Sequence, residues 1–325
     1  MGLITPSLFS AQVFKYSKTR PEKGHLIQTV PYEKWLERNY CGPACLSMVL
    51  NFWDEARSFT QQKISDEIFD PASQATFNSE MVLYPRTRGF ESYSFQGNLR
   101  ILKDAVEKDV PVIVLTKAIK QLAVGHYRVV IGFDEEDDLI IFHDPLLGER
   151  NAMKARNFMK VWELGEGRNE SRWMMAVIPD PGSFPFPSLI NDPLTPINLA
   201  TAYYRRSDFA KSRDQWLQVK AVLPKDPYPL YRLAMVSLRE GKAEEAESYA
   251  LEALGADSKS AYALDVLGLA HATQGRFAVG LESLGKALRL APKEEFIRKH
   301  YLQVRDLYIE SSRLDEIQKE EKTNE

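Results

Sequence analysis

The stretch that decides the fold of the N-terminal half is residues 39–53, NYCGPACLSMVLNFW. From residue 42 onward, small and apolar side chains recur at helical spacing, which predicts a buried helix over residues 42–53. Pro43 suits the first turn of this helix, because the N–H that proline lacks has no intrahelical partner there. Cys41 is therefore expected at the helix N-terminus, where unpaired N–H groups and the helix dipole stabilise a thiolate.

The rest of this half predicts a mixed α+β domain. Residues 99–107 are predicted to form a second helix. Residues 59–93 are poorly patterned and are expected to form a loop over the cleft. Runs rich in Val, Ile and aromatic residues, bounded by turn residues, predict strands at 110–116, 126–133, 139–143 and 173–178. Helices that come first and are followed by an antiparallel sheet are typical of the α+β class.

Two of these strands carry polar residues that fit nucleophilic catalysis with Cys41. His126 begins one strand and Asp144 ends the next, and neighbouring antiparallel strands can bring the two side by side. The chain order Cys, His, Asp fits a papain-like mechanism. In it a thiolate attacks a carbonyl, an imidazolium protonates the leaving amine, and a carboxylate orients the imidazole.

These motifs resemble those of the bacterial papain-like peptidases that process bacteriocins by removing double-glycine leader peptides. The resemblance rests on CGPACLSMVLNFW at 41–53, GHYRVVIGFD at 125–134 and HDP at 143–145, and it covers about residues 25–180. It is greatest to the stand-alone relatives that are fused to tetratricopeptide repeats. It implies an α+β papain-like cysteine peptidase domain.

The resemblance also assigns roles. It implies that Cys41 is the nucleophile, that His126 is the general base and acid, and that Asp144 orients His126. The family usually has a glutamine five or six residues before the nucleophile, whose amide donates into the oxyanion hole. Here Trp35 and Leu36 stand at that place, and loss of one oxyanion donor typically costs about 10²–10³ in turnover.

Candidates for the missing donor, or for a substrate subsite, are Trp35, Asn39 and Gln28, although Gln28 and Asn39 lack the usual offset. Cys45, one helical turn after Cys41, is expected to be a small buried hydrophobe. No metal is expected, since no nearby His or Cys pair has the spacing that zinc needs. No cofactor is expected either.

The C-terminal part repeats with a period of 34 residues. Leu199, Leu233 and Leu267 occupy the same register, and small residues recur where two helices would cross. Turn residues recur at Ser207, Gly241 and Gly275, and units end at Pro224, Ser258 and Pro292. This pattern resembles the tetratricopeptide repeat, an all-α helical hairpin that stacks into a solenoid.

A stretch with six prolines between residues 179 and 196 separates the two parts. Proline removes backbone donors, so neither a helix nor a central strand is expected in this stretch. The predicted organisation is an N-terminal extension (1–24), the peptidase domain (25–180), a proline-rich linker (181–195), three repeats with a capping helix (196–310) and a charged, frayed tail (311–325).

Composition limits the classes of partner. The 42 Lys and Arg against 45 Asp and Glu give a net charge of −3, which does not favour a nucleic-acid partner. No apolar run reaches the roughly 18 residues of a membrane-spanning helix. The start of the chain lacks the features of a secretory signal. The cytoplasm is therefore the expected location, and the cell envelope is the alternative if a signal has been removed.

Two functions follow from the sequence. The first is a cysteine peptidase that cleaves an extended peptide or leader, with the repeats recruiting a protein partner or the substrate. The alternative is a catalytically impaired, peptidase-like domain that binds peptides as a scaffold, which the replacement near Trp35 favours. Transfer of the acyl group to an amine instead of water also stays open.

Overall fold

A computed structural model describes residues 13–119, 122–164, 171–180, 182 and 192–323. The chain divides into two compact units, Met1–Ala202 and Tyr203–Glu325. Much of the predicted N-terminal extension and of the proline-rich linker lies outside the described residues, and those domain boundaries stay predictions.

Helices of the N-terminal unit follow the apolar patterning of the sequence. Those that precede residue 192 are α1 (Cys41–Trp53), α2 (Gln61–Ile68), α3 (Asn78–Arg86), α4 (Leu99–Glu107) and α5 (Ala155–Trp162). The helices predicted at 42–53 and 99–107 are confirmed as α1 and α4. The side chain of Asn98 caps α4 by accepting the backbone N–H of Ile101 at 2.9 Å, which satisfies a donor that has no partner within the helix.

The strands of this unit form one antiparallel sheet and a separate hairpin. They are β1 (Phe14–Lys15), β2 (Gly24–Leu26), β3 (Phe69–Asp70), β4 (Ala75–Thr76), β5 (Glu91–Gln96), β6 (Val112–Ile119), β7 (Leu122–Asp134), β8 (Leu139–Asp144), β9 (Gly148–Lys154) and β10 (Trp173–Ile178). The sheet order is β1-β9-β8-β7-β6-β10-β5, β2 pairs with β7, and β3 pairs with β4. The four predicted strands are confirmed as β6, β7, β8 and β10.

Helix α1 packs against β7, β6 and β10, and its side chains are almost entirely buried. In the ladder between β6 and β7, His126 lies opposite Thr116. In the ladder between β7 and β8, Val129 lies opposite His143. This register brings His126 of β7 and the C-terminal end of β8 to the same part of the sheet.

The expectation of a patternless loop over residues 59–93 is wrong. This stretch holds α2, the β3–β4 hairpin, α3 and β5. These elements are short, and several of their buried positions are polar, such as Ser65 and Ser92. Apolar periodicity is therefore weak there, although Thr60 caps α2 by accepting from the Lys63 N–H.

The helical part of the chain keeps the predicted 34-residue register. Its helices are α6 (Leu194–Arg205), α7 (Phe209–Val222), α8 (Pro227–Arg239), α9 (Ala243–Ala256), α10 (Ala261–Thr273), α11 (Phe277–Leu290) and α12 (Glu295–Thr323). From α7 onward, each helix packs on the next. Ser207, Gly241 and Gly275 have φ of 61°, 75° and 76°, so the predicted turns adopt one left-handed conformation that ends each first helix. The C-terminal unit resembles tetratricopeptide repeats.

The division between the two compact units lies inside α6. Thr195 and Asn198 of α6 hydrogen-bond to Ser94 of β5, which attaches the start of this helix to the N-terminal unit. The expectation that no helix forms before residue 196 is wrong, because α6 begins at Leu194. Pro196 fits there because the first turn of a helix tolerates proline.

Helix α12 is also longer than predicted. It continues from Glu295 to Thr323, through most of the segment expected to be a frayed tail. No glycine or proline occurs between these residues to end it. Within the described part of the chain, no helix is long and apolar enough to cross a membrane.

Candidate active site

The first residue of α1 is Cys41, as the sequence predicts. Asn39 has φ of 69°, a left-handed conformation that asparagine tolerates better than most residues, and it turns the chain into the helix. Gly42 allows a close approach of β4, because a Cβ at this position would lie 2.9 Å from the Cβ of Thr76. The thiol of Cys41 is buried, with 8% of the residue exposed, against the N-terminal end of the helix.

His126 and Asp144 lie side by side on β7 and β8. Asp144 ends β8, but β7 begins at Leu122, so His126 lies inside its strand and not at the start, where the sequence predicted it. The Nε2 atom of His126 is 2.9 Å from Oδ1 of Asp144, and both side chains are buried. The same imidazole favours the ionised form of the Cys41 sulfur. The three residues therefore form one cluster, in which the imidazole acts on both the nucleophile and the carboxylate.

Electrostatic interactions favour the charged forms of Cys41 and His126. Burial alone would raise the pKa of Cys41, but the hydrogen bond and charge of His126, together with the backbone N–H groups of Tyr127 and Gly42, lower it below its usual value. Burial opposes protonation of His126, yet the charge and hydrogen bond of Asp144 raise the pKa of His126 to about 9. A thiolate beside an imidazolium is the expected resting state between these two pKa values.

The carboxylate of Asp144 is held ionised by its surroundings. Burial opposes this, but the charges of Arg128 and His126 keep the pKa of Asp144 well below its usual range. Its Oδ1 also accepts the backbone N–H groups of Leu146 and Leu147 at 2.8 and 3.1 Å. These bonds close the turn after β8 and fix the carboxylate that faces His126.

Of the candidates for the oxyanion hole, Trp35 lies at the site. Its ring meets the ring of His126 edge-on, with centroids 6.0 Å apart, and its backbone N–H donates to the Pro145 carbonyl at 3.1 Å. Asn39 is also adjacent, and its carbonyl oxygen is 3.9 Å from the Cys41 sulfur. Gln28 is exposed, and its amide donates to the carbonyl of Thr19 at 3.3 Å, so this amide is engaged away from Cys41.

Arg128 is a site residue that the sequence reasoning missed. Its side chain is 4% exposed, and its Nε donates to Oδ2 of Asp144 at 2.7 Å. The signal was present in the sequence, because a charged residue inside an apolar strand requires a buried partner. An arginine two residues after His126 lies on the same face of β7 and points to the carboxylate that His126 contacts.

Cys45 and His143, which are near Cys41 and Asp144 in the sequence, have surroundings that differ from those of the site residues. Burial and the nearby negative charge of Cys41 raise the pKa of Cys45 well above its usual value, so Cys45 stays a thiol. His143 faces away from Asp144, as strand alternation predicts. Its ring nitrogens contact the Val30 carbonyl and the Arg150 N–H at 3.1 and 3.0 Å.

Chemically, the cluster can attack an electrophilic carbon with the Cys41 sulfur and deliver a proton from His126. No group of three or more His, Cys, Asp or Glu side chains that could hold a metal ion occurs among the described residues.

Comparison with known proteins agrees with the sequence resemblance. Residues 27–168 match the model of a family described as "Peptidase_C39 like family". The N-terminal unit thus contains a Peptidase_C39-like domain, and the resemblance drawn from the motifs is confirmed. None of the curated proteins matches the chain.

The solved structures that are similar to part of the chain include tetratricopeptide-repeat domains. The Sgt2 domain from Aspergillus fumigatus is 22% identical over 35% of this chain and 77% of its own, with a TM-score of 0.33. The first such domain of Spaghetti (RPAP3), bound to the HSP90 peptide SRMEEVD, is 15% identical over 36% and 95%, with a TM-score of 0.34. The second domain of human RPAP3, in complex with the HSP70 peptide SGPTIEEVD, is 16% identical over 34% and 92%, with a TM-score of 0.31.

Proposed function

We propose that the N-terminal unit is a cysteine peptidase that hydrolyses peptide bonds of an extended peptide or leader. The observation that carries the proposal is the buried His126 imidazole, which contacts Asp144 at 2.9 Å and favours the thiolate of Cys41. All three side chains are buried, so their charges act on one another with little screening by water.

The chemistry would proceed in two steps. The Cys41 thiolate attacks the carbonyl carbon and forms a C–S bond, and the C–N bond breaks as His126 gives its proton to the leaving nitrogen. His126 then takes a proton from water, whose oxygen attacks the thioester carbon and releases the acid and the thiol. Asp144 holds the imidazole in the required orientation throughout.

Stabilisation of the oxyanion is the weakest part of this site. The unpaired N–H groups at the N-terminus of α1 can donate to it. The side-chain amide usual in the family is replaced by the indole of Trp35 at the position six residues before Cys41. We therefore expect slow turnover, lower by about 10²–10³ than with a full set of donors.

Digestion of a proteome-derived peptide library, with new N-termini identified by mass spectrometry, tests the proposal. The unaltered chain and the matched control Cys45→Ala should generate the same cleavage sites. Cys41→Ala should generate none while retaining its circular dichroism spectrum. Cleavage that persists in Cys41→Ala would exclude this nucleophile.

The alternative is a peptide-binding module that does not cut, and the position of Trp35 favours it. In that case the unaltered chain leaves the library intact, while peptides co-elute with it in size-exclusion chromatography. Trp35→Gln separates the cases. If cleavage rises from a trace in Trp35→Gln, the unaltered chain is an impaired enzyme. If neither form cleaves the library, the domain is a binding module.

For the C-terminal unit, we propose that the repeats recruit a protein partner or the substrate. A row of stacked aromatic rings supports this role. Tyr231 and Tyr262 stack with centroids 5.4 Å apart, and Tyr262 and Phe296 with centroids 5.8 Å apart. Tyr262 and Phe296 are 40% and 37% exposed. Exposed aromatic rings are enriched where proteins bind one another.

The double variant Tyr262→Ser/Phe296→Ser tests recruitment separately from chemistry. It should slow cleavage of intact proteins in a cell extract and leave cleavage of short library peptides unchanged. Equal effects on both kinds of substrate would contradict a recruiting role for this row.

A further inference from the structure

Arg128 contacts Asp144 and Thr116, two residues that each hydrogen-bond to His126. Its Nε donates to Oδ2 of Asp144 at 2.7 Å, and its guanidinium also donates to Oγ1 of Thr116. The Thr116 hydroxyl in turn donates to the backbone carbonyl of His126 at 3.0 Å. The guanidinium thus connects the carboxylate on β8 with the strand position that carries the imidazole.

The two carboxylate oxygens of Asp144 have different hydrogen-bond partners. Oδ1 accepts from His126 and from the N–H groups of Leu146 and Leu147. Oδ2 accepts from Arg128, its hydrogen-bond partner within the described residues. Removal of Arg128 therefore leaves one carboxylate oxygen unpaired in a site where Asp144 is fully buried.

Charge balance gives Arg128 a second effect. The guanidinium remains charged, so the one negative charge of Asp144 is shared between Arg128 and the His126 imidazolium. Other titratable groups that face the cluster are Cys41 and Cys45 on α1, and Tyr32, whose hydroxyl lies 3.4 Å from the Asp144 carbonyl oxygen. These groups add negative charge when ionised, and Arg128 offsets part of that charge.

We propose that Arg128 is a positioning residue, which orients the Asp144 carboxylate and limits how tightly the Asp144–His126 pair holds its proton. This inference rests on the proposed peptidase function, in which His126 must release that proton to a leaving nitrogen. Without Arg128, the Asp144 carboxylate would bind the imidazolium more firmly and slow proton transfer from His126 to the leaving nitrogen.

The test is the pH profile of Cys41 alkylation by iodoacetate, read by peptide mass spectrometry. Iodoacetate is an anion that the positive charge of the His126 imidazolium attracts. The rate of alkylation should therefore fall as the pH rises and the imidazolium loses its proton. In Arg128→Met the falling limb should move to higher pH by about one unit or more, because a buried positive charge near the imidazolium is removed. Arg128→Lys, which keeps the charge, should leave that limb close to its original pH.

Arg86→Met is the matched control, since Arg86 lies in the same unit and is paired with Glu91. It should leave the profile unchanged. A falling limb that stays in place in folded Arg128→Met overturns the proposal.

The variants Asp144→Asn and Arg128→Met/Asp144→Asn, of which the double variant leaves the net charge unchanged, keep the test available if Arg128→Met does not fold. Arg128 acts mainly through Asp144 in this proposal, so the falling limbs of these two variants should differ by less than the shift expected for Arg128→Met. A difference of about one unit or more between them overturns it. Failure of the peptidase function would look different, because Cys41 in the unaltered chain would then lack fast alkylation below pH 6.

Discussion

The stability of the N-terminal unit should depend on pH through His143, which lies outside the proposed chemistry. In the ring of His143, Nε2 contacts the Val30 carbonyl, and Nδ1 accepts the backbone N–H of Arg150 at 3.0 Å. A proton on Nδ1 would face this N–H group, so the folded chain requires the neutral imidazole. Burial accordingly lowers the pKa of His143 from 6.5 to about 4.

The sign and size of the effect follow from these two values. Between pH 6.5 and about 4 the unfolded chain binds a proton that the folded chain does not bind. The free energy of unfolding is therefore undiminished above pH 6.5 and falls as the pH drops toward 4. The pKa difference corresponds to about 3 kcal/mol, a large part of the 5–15 kcal/mol that typically stabilises a domain.

Urea unfolding followed by tryptophan fluorescence measures this dependence, since four of the five tryptophans lie in the N-terminal unit. His143→Asn should be less stable at pH 7 and should lose less stability between pH 6.5 and 4 than the unaltered chain, by about 3 kcal/mol. His25→Gln keeps His143 and should show the original slope. An identical slope in His143→Asn would refute the reasoning.

Three further predictions concern the site and the repeats. Peptide cleavage should follow a bell-shaped pH profile that rises as Cys41 ionises and falls near pH 9 as His126 loses its proton, which initial rates across a pH series would measure. In thermal unfolding, Gly268→Ala should destabilise the repeats by about 1–3 kcal/mol, because its Cβ would lie 2.6 Å from the nearest side-chain carbon. Gly255→Ala, where the added Cβ meets open space, should stabilise them by about 1 kcal/mol. Cys45 should resist alkylation in the folded chain and react only in denaturant, as thiol labelling with and without urea would show.

Elements with strong periodicity were predictable from the sequence. Helix α1 is buried along its length, so nearly every residue from 42 to 53 carries the signal. The strands of the central sheet are continuous apolar runs for the same reason. The contact of His126 with Asp144 followed from their places on consecutive antiparallel strands, although β7 begins four residues before His126. Their catalytic roles stay a prediction.

The burial of two charged side chains, Arg128 and Asp134, was not predicted from the sequence, because each depends on a partner outside its own strand or turn. Arg128 is neutralised by a residue on the next strand, and its register became clear only with the ladder between β7 and β8. Asp134, in an acidic run typical of an exposed turn, is buried because its carboxylate accepts from Tyr16 and Lys18 at 2.9 and 3.1 Å. No local pattern specifies a contact across more than a hundred residues.

The central claim is that Cys41 is held as a thiolate by His126, and alkylation by iodoacetamide tests it most directly. Peptide mass spectrometry separates Cys41 from Cys45 across a pH series. An unperturbed cysteine has a pKa of about 8.5, whereas a cysteine activated by histidine at a helix N-terminus falls to about 3.5–7.5. Fast labelling of Cys41 below pH 6, lost in His126→Ala, is the predicted result. Labelling that rises only above pH 8 would contradict the assembled ion pair and, with it, the proposed peptidase.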